Sequence, residues 1–191
     1  MIFNIRGTSG SGKSFLVKRI MQTYTYKEPY FREGRKQPFY YMMRSVDRDL
    51  PQLGIIGHYN TACGGCDTIK LMDDVVAIVR NLSDEGNHVI FEGVIFSTEY
   101  PRTSKMIQDG LPLVVINLTT SLEECIEGVN ARRFERNPNL EPVNPANTTR
   151  RVGIINRCNE RLTLAGGVVL NMDRDQAYRF IMEQINPDYG Y

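Results

Sequence analysis

The stretch Gly7-Thr8-Ser9-Gly10-Ser11-Gly12-Lys13-Ser14 decides the fold of this chain, because it fits the phosphate-binding pattern G-x-x-x-x-G-K-S. In such a loop the backbone N–H groups wrap around phosphates, the lysine reaches the outer phosphates and the serine hydroxyl is a ligand of Mg²⁺. The alternative is a glycine-serine turn that binds nothing. The elements on either side of the stretch separate these two interpretations.

Residues 1–6 form a short apolar run that predicts a buried strand, and residues 15–23 carry apolar positions at helical spacing. The apolar residues of the two segments are Ile2, Phe3, Ile5, Leu16, Val17, Ile20 and Met21. Strand, glycine loop and helix therefore follow one another in the order that phosphate binding requires. This context favours the phosphate-binding interpretation over the simple turn.

The bulk composition bounds the class of protein. The chain has 191 residues, of which 41% are hydrophobic and 24% charged, so we expect a single domain over residues 1–191. No apolar run approaches the roughly 20 residues needed to cross a bilayer. Because the first strand leads directly into the loop, we expect neither a membrane anchor nor a signal peptide, and a cytoplasmic location. The net charge of +1 neither requires nor forbids a nucleic-acid partner.

Strand and helix patterns alternate along the rest of the chain. Further strands are predicted at residues 54–59, 89–93, 113–118 and 166–172. Helices are predicted to begin near residues 69, 121, 148 and 176, with an irregular segment at 96–101 and a short helix that ends near residue 110. This alternation predicts a three-layer α/β fold with a parallel sheet, whose active site lies at the carboxyl ends of the strands.

Residues 24–44 interleave aromatic and basic side chains, a mixture that suits stacking on nucleobases and pairing with phosphates. The aromatic members are Tyr24, Tyr26, Tyr30, Phe31, Phe39, Tyr40 and Tyr41, and the basic ones are Lys27, Arg32, Arg35, Lys36 and Arg44. The alternative is a core strand at 38–46 preceded by a solvated loop, because β-propensity alone enriches aromatic residues.

The loop at residues 60–67 contains glycines and ends at Asp67, which is predicted to cap the helix that begins near residue 69. Cys63 and Cys66 form a Cys-x-x-Cys pair, which indicates either a redox centre or half of a zinc site. Cys125 and Cys158 make no second pair, and His58 completes at most three ligands. We therefore expect a structural or substrate-facing loop.

Glu92 follows a run of apolar residues and precedes a glycine, so it is predicted at the carboxyl end of a strand. In a protein with a phosphate loop, an acidic residue at this place holds Mg²⁺ through water or faces the acceptor substrate. A strand-end carboxylate without such a role is the alternative.

A capping box, Ser121-Leu122-Glu123-Glu124, begins a helix that runs into three arginines. Arg132 and Arg136 are four positions apart and share a helix face, and with Arg133 they offer a cluster of guanidinium groups to a polyphosphate. The proline-containing segment that follows is typical of a movable flap, placed at approximately residues 132–149. The alternative is an ordinary basic helix end that complements the helix dipole.

The order of strand, phosphate loop, substrate-side helix, acidic strand end and arginine-rich flap resembles the nucleoside and nucleotide kinase branch of phosphate-loop proteins. The resemblance implies strand order 2-3-1-4-5, an arginine-rich lid, and ATP bound by Gly7, Thr8, Ser9, Gly10, Ser11, Gly12, Lys13, Ser14 and Phe15 together with Arg132, Arg133 and Arg136. It also implies Mg²⁺ at Ser14 and Glu92, and catalytic roles for Lys13, Asp67, Glu92, Arg132 and Arg136.

The acceptor side departs from the monophosphate kinases, because Phe91-Glu92-Gly93-Val94 replaces their usual Asp-Gly-x-Pro-Arg segment. Together with the loop at 61–67, Phe91-Glu92-Gly93 is similar to the bacteriophage kinases that phosphorylate 5-hydroxymethyluracil in DNA. This likeness implies DNA as the partner, in the cytoplasm of an infected bacterium. Either Asp67 or Glu92 is expected to take the acceptor proton, because both carboxylates should open on the same side of the sheet; we favour Asp67 as the base and Glu92 near the metal. Two rivals stay open: a kinase of a free deoxynucleotide or other small alcohol, and a non-catalytic ATP-binding switch.

Overall fold

A computed structural model describes residues 1–46, 50–61 and 64–187 of the chain. Over these residues a seven-stranded mixed sheet runs in the order β2-β3-β4-β5-β1-β6-β7. β4, β5, β1, β6 and β7 are parallel, and β2 and β3 add an antiparallel hairpin at one edge. The strands are β1 (Ile2–Arg6), β2 (Tyr26–Tyr30), β3 (Tyr40–Arg44), β4 (Leu53–Ile56), β5 (His88–Glu92), β6 (Leu113–Leu118) and β7 (Val168–Met172).

The predicted sheet, wholly parallel with order 2-3-1-4-5, is wrong for the seven strands together, because β2 and β3 are antiparallel; the five parallel strands β4, β5, β1, β6 and β7 do follow one another in the predicted order. The reason lies in residues 24–44: Tyr26–Tyr30 forms a strand where a loop was expected, and pairs antiparallel with Tyr40–Arg44. Pro29 is compatible with β2 because this strand lies at the sheet edge, where one side of the backbone has no partner strand. A short connection between the two strands favours an antiparallel hairpin, since a parallel pair needs a long crossover.

Helices cover both faces of the sheet. Successive residues of β1 point to opposite faces, so Phe3 and Ile5 pack with α1 and α7, whereas Ile2 packs with α2, α4 and α6. None of the helices in the described ranges is long and apolar enough to cross a membrane. The helices are α1 (Lys13–Met21), α2 (Met72–Asp84), α3 (Val94–Thr98), α4 (Pro101–Gln108), α5 (Leu122–Arg136), α6 (Pro145–Leu164) and α7 (Arg174–Ile185), and Cys66–Thr68 forms a short 3-10 turn.

Three helix boundaries near the site differ from the prediction. α3 occupies much of the segment expected to be irregular, and α2 begins at Met72, three residues later than expected. α6 begins at Pro145, because the Asn144 side chain accepts a hydrogen bond from the Ala146 N–H and proline suits the first helical position. The predicted flap therefore includes the first turn of a long helix. The capping box at Ser121 and Glu124 is confirmed.

Candidate active site

The glycine loop connects β1 to α1 in a conformation that requires glycine. Gly10 and Gly12 have φ of 86° and 90°, in the left-handed region that other residues rarely adopt. A Cβ at Gly10 would lie 2.0 Å from the Cys125 carbonyl oxygen, and one at Gly12 would lie 2.5 Å from Cδ of Arg174. The loop can therefore pack tightly between α5 and α7 only because these positions have no side chain.

A cavity of about 400 Å³ opens beside this loop at the first turn of α1. It brings together many of the predicted site residues, whereas Gly7, Thr8 and Ser11 do not line it. Thr8 and Ser11 are buried, and the Ser11 hydroxyl has no hydrogen-bond partner among the residues that the structure describes. The cavity is lined by Ser9, Gly10, Gly12, Lys13, Ser14, Phe15, Lys18, Gly64, Asp67, Glu92, Val94, Gly128 and Arg132.

Lys13 is the buried cation of the site. Its side chain is 5% exposed, and Nζ donates hydrogen bonds to the carbonyl oxygens of Gly7 and Thr8 at 2.7 and 2.9 Å. Burial lowers the Lys13 pKa, and the negative charges of Glu92 and Asp67 oppose this shift. The ammonium group is thus held against the loop backbone inside the cavity that the loop lines.

Glu92 and Ser14 come together because β5 lies next to β1 in the parallel sheet. Glu92 is in register with Ile5 at the carboxyl end of its strand and is 2% exposed. Its Oε1 accepts a 2.7 Å hydrogen bond from the Ser14 hydroxyl. Burial raises the Glu92 pKa, while the charge of Lys13 and the bond from Ser14 favour the ionised form.

Ser14 and Glu92 supply two oxygen atoms, the ligand type that Mg²⁺ prefers. No group of three or more His, Cys, Asp and Glu side chains is placed to hold a metal within residues 1–46, 50–61 and 64–187. Mg²⁺ at nucleotide sites usually has only one or two protein ligands and completes its shell with phosphate oxygens and water. The pair therefore fits a nucleotide-dependent Mg²⁺ and not a cage made of protein side chains.

Asp67 lies in the 3-10 turn and lines the same cavity. Its carboxylate accepts hydrogen bonds from the N–H groups of Val94 at 2.8 Å and Ile95 at 3.0 Å. The prediction that Asp67 caps the helix following it in sequence is wrong, since α2 has no side-chain cap and Asp67 instead caps α3. The cap holds the carboxylate beside the strand end that carries Glu92.

Sequence reasoning missed Ser97 and Gly65. The Ser97 hydroxyl accepts a hydrogen bond from the Gly7 N–H at 3.1 Å and donates one to the Gly93 carbonyl at 2.7 Å, so α3 contacts the first residue of the glycine loop. At Gly65, φ is 79° and a Cβ would lie 2.5 Å from Oε1 of Glu92. In the sequence, Gly65 stands two positions before Asp67, a predicted site residue, and this was a usable signal. No local pattern of residues marks Ser97.

The three predicted lid arginines do not converge on the cavity. Arg132 lines it and donates from Nε to the Gly128 carbonyl at 3.1 Å. Arg133 donates from Nε and Nη2 to the Glu141 carbonyl oxygen at 3.1 and 2.8 Å, so it is bonded to the segment between α5 and α6. Arg136 is the last residue of α5, exposed and outside the cavity lining.

The aromatic residues of 24–44 divide between core and surface. Tyr24, Phe39 and Tyr41 are buried, as the core-strand alternative requires. Phe31 and Tyr26 are 57% and 56% exposed, as contact with a nucleic acid requires. Each interpretation therefore describes part of the stretch.

Of the predicted Cys-x-x-Cys pair, Cys63 lies outside the described residues, and the structure describes only Cys66. Cys66 is buried in the core that packs around α2, and burial raises the pKa of its thiol well above the ordinary value. A reactive or metal-binding cysteine needs a stabilised thiolate. This environment at Cys66 is that of a packed, unreactive thiol.

Comparison with known proteins adds three relatives. The chain is 44% identical over 182 residues to a "5-hmdU DNA kinase" of Pseudomonas phage PaMx11, a match that spans 95% of both chains. It is 26% identical over 166 residues to a protein of the same name from Delftia phage PhiW-14, and 27% identical over 149 residues to one from Bacillus phage SP10. These two matches cover 78% and 71% of the chain, but only 59% and 21% of the longer relatives. No protein-family model matches the chain.

Proposed function

The chain belongs to the family of 5-hmdU DNA kinases, and we propose that it transfers the γ-phosphate of ATP to the hydroxymethyl group of 5-hydroxymethyluracil in DNA. The observation that carries the proposal is the 44% identity over 95% of both chains to a phage protein of that name. The glycine loop, with a buried lysine beside two carboxylates in one cavity, provides machinery suited to phosphoryl transfer. The phage origin of the relatives supports the cytoplasm of an infected bacterium as its place of action.

The proposed fold is that of a phosphate-loop kinase, with ATP held by residues 7–15. Two features support this: the left-handed glycines of the loop, and the first turn of α1, which lines the cavity. Lys13 already occupies the cavity as a cation, and its charge would stabilise the negative charge that develops on the transferred group. Ser14 and Glu92 would hold Mg²⁺, which when bound neutralises charge on the phosphate oxygens.

For the acceptor step we propose Asp67 as the general base. The oxygen of the hydroxymethyl group attacks the γ-phosphorus, the bond between this phosphorus and the oxygen of ADP breaks, and the hydroxyl proton passes to the Asp67 carboxylate and then to water. The bonds from Val94 and Ile95 hold this carboxylate at the cavity wall. Glu92 suits the metal role better, because it is buried and bonded to Ser14.

Arg132, Arg133 and Arg136 are proposed as lid arginines that stabilise the polyphosphate. Arg132 has the strongest support, since it lines the cavity. Arg136 shares its helix face at a spacing of four residues, and a closing movement of residues 132–149 would bring it towards the same phosphates. Arg133 would order the lid through its bonds to Glu141.

The test supplies γ-labelled ATP with four acceptors: DNA containing 5-hydroxymethyluracil, unmodified DNA with free 5′ ends, the free deoxynucleoside and its monophosphate. Label confined to a nuclease-released phosphorylated hydroxymethyl nucleotide supports the proposal. Label only on the monomers would make the chain a metabolic kinase, and label on 5′ ends an end-kinase. ATP binding without any transfer would make it a switch.

A further inference from the structure

We infer that a basic groove next to the acceptor side of the cavity, lined by residues 32–37, 39, 68–70 and 74, binds the DNA strand that flanks the target nucleotide. This inference rests on the proposed function, because it takes DNA as the acceptor. It assigns the residues that hold the DNA outside the reacting centre.

The groove is a second cavity of about 400 Å³, separate from the one that contains Lys13. Its position follows from Arg35, whose guanidinium donates hydrogen bonds to the Thr68 carbonyl and hydroxyl oxygens, both at 2.9 Å. Thr68 follows Asp67, the proposed base, in the same 3-10 turn. The groove therefore borders the turn that carries the proposed base.

The charge of the groove suits a phosphate backbone. Four cations line it, against two carboxylates, and one of these carboxylates, Asp74, is paired with Arg32. Lys36 and Lys70 are exposed on the two sides of the groove. The four cations are Arg32, Arg35, Lys36 and Lys70. Since the net charge of the whole chain is only +1, this local excess is a distinct feature of the surface.

An aromatic platform adjoins the cations. Phe31 is 57% exposed and lines a neighbouring apolar cavity of about 330 Å³ with Tyr30, Tyr40 and Ile78. Tyr30 and Tyr40 already stack on each other with ring centroids 4.6 Å apart, whereas more than half of Phe31 is accessible to solvent. Exposed aromatic rings beside lysines and arginines are the arrangement by which proteins hold unpaired bases and the phosphates between them. We assign Phe31 to stacking on a base next to the target.

The experiment measures binding of a single-stranded oligonucleotide with one 5-hydroxymethyluracil, and then steady-state phosphorylation of the same oligonucleotide. The variants are Phe31→Ala and the double variant Lys36→Ala/Lys70→Ala. Arg179→Ala is the matched control, because Arg179 is an exposed cation on α7, which covers the opposite face of the sheet. All the substituted side chains are exposed, and thermal unfolding checks that the fold is retained.

We expect the double variant to raise Kd and KM for DNA roughly tenfold, with kcat and KM for ATP unchanged. It should also reduce the slope of log Kd against log salt by about 1.4, because each of the two lysines neutralises one phosphate of a single strand. Phe31→Ala should raise Kd roughly fivefold or more, with the salt slope unchanged. Arg179→Ala should leave every value within about twofold of wild type, as expected for a distant surface charge.

The groove proposal would be overturned if both groove variants bound DNA with the wild-type Kd, or if Arg179→Ala weakened DNA binding equally. Either result would leave the kinase assignment in place. Weaker DNA binding by the groove variants, in a protein that phosphorylates only monomers, would support the groove and refute the proposed acceptor. A wild-type protein that binds no DNA would refute both.

Discussion

The Ser14 hydroxyl donates a 2.7 Å hydrogen bond to Oε1 of Glu92, and so joins the first turn of α1 to the carboxyl end of β5 across 78 positions of sequence. The bond depends on the parallel pairing of β1 and β5, which places Glu92 level with Ile5 and so beside the start of the glycine loop. Through it, the two oxygen atoms proposed to hold Mg²⁺ are neighbours. The predictions below test the residues around this pair.

Replacing Lys13 should abolish phosphoryl transfer and leave the fold intact. The Lys13 ammonium is buried, and in the described part of the chain its hydrogen bonds go only to carbonyl oxygens of the loop. Its charge should therefore matter for the bound phosphates more than for the stability of the core. We expect Lys13→Ala or Lys13→Met to lower kcat by at least about 10²–10³-fold, the usual loss of a group that stabilises transition-state charge. Labelled-phosphate transfer measures the loss and circular dichroism the fold. Turnover at the wild-type rate would refute the loop assignment.

The substitution Asp67→Asn distinguishes the proposed role of Asp67 as a general base from its role as the cap of α3. Asparagine cannot take a proton in this role and has a single acceptor oxygen, so it should lose one of the two bonds to α3, at a cost of about 1 kcal/mol in the free energy of unfolding. We expect kcat to fall by about 10²-fold or more, as for other general bases. Urea denaturation and single-turnover rates measure the two effects.

The matched control for this substitution is Asp173→Asn. Asp173 caps α7 by accepting hydrogen bonds from the N–H groups of Asp175 and Gln176, and it lies outside the cavity lining. Both bonds reach Oδ1 of Asp173, which asparagine retains, so this variant should lose little stability and keep its activity, and it reports the loss of a capping charge alone. Removal of a general base usually lowers the rate by about 10²-fold or more. If Asp67→Asn retains more than about a tenth of wild-type activity, Asp67 acts only as a helix cap.

Glu92 should make the stability of the protein depend on pH. Burial raises its pKa, so between the unfolded and folded pKa values the folded state binds more protons than the unfolded state. The contribution of Glu92 to the free energy of unfolding is therefore fully present below the unfolded pKa, and is lost as pH rises through the folded pKa. We expect the free energy of unfolding of the wild type, minus that of Glu92→Gln, to decrease as pH rises above the ordinary pKa of a glutamate.

Urea titrations of both proteins from about pH 4 to pH 8, which begin near the unperturbed glutamate pKa, measure this difference. Glu183→Gln, at an exposed position on α7, reports the effect of the substitution itself. A difference that stays flat, or that grows with pH, would contradict a Glu92 pKa raised by burial.

The lid arginines should differ in importance. Arg132 lines the cavity, so Arg132→Ala should lower kcat/KM for ATP by more than about tenfold, and Arg132→Lys should restore it only in part because lysine lacks the planar guanidinium. Arg133→Ala should have a smaller effect, since its guanidinium is bonded to the Glu141 carbonyl. A loss from Arg136→Ala as large as that from Arg132→Ala would indicate that the lid closes fully over ATP during turnover.

Features that depend on neighbours in sequence were predictable. The glycine loop between a strand and a helix, the capping box at Ser121 and Glu124, and the apolar β6 are all patterns of residues a few positions apart, and the structure has each of them. Short-range hydrogen bonds and hydrophobic periodicity form these features, and both can be recognised in one sequence. The likeness to phage DNA kinases, inferred from the loop before Asp67 and from Phe91-Glu92-Gly93, agrees with the relatives found.

The tertiary structure alone decided which side chains meet. The Asp67 carboxylate caps α3, 27 positions further along the chain, and not the helix that follows it, because the end of β5 places Val94 and Ile95 beside the 3-10 turn. Residues 26–30 became an edge strand because β3 offered a free edge for pairing, which raised the sheet to seven strands. Arg132, Arg133 and Arg136 have the same chemistry, yet only Arg132 lines the cavity. Arg133 is turned about 100° away from it around the helix, and Arg136 shares its face but lies about 6 Å further along the helix axis. Contacts of this kind depend on the packing of whole elements against one another, which no local pattern of residues contains.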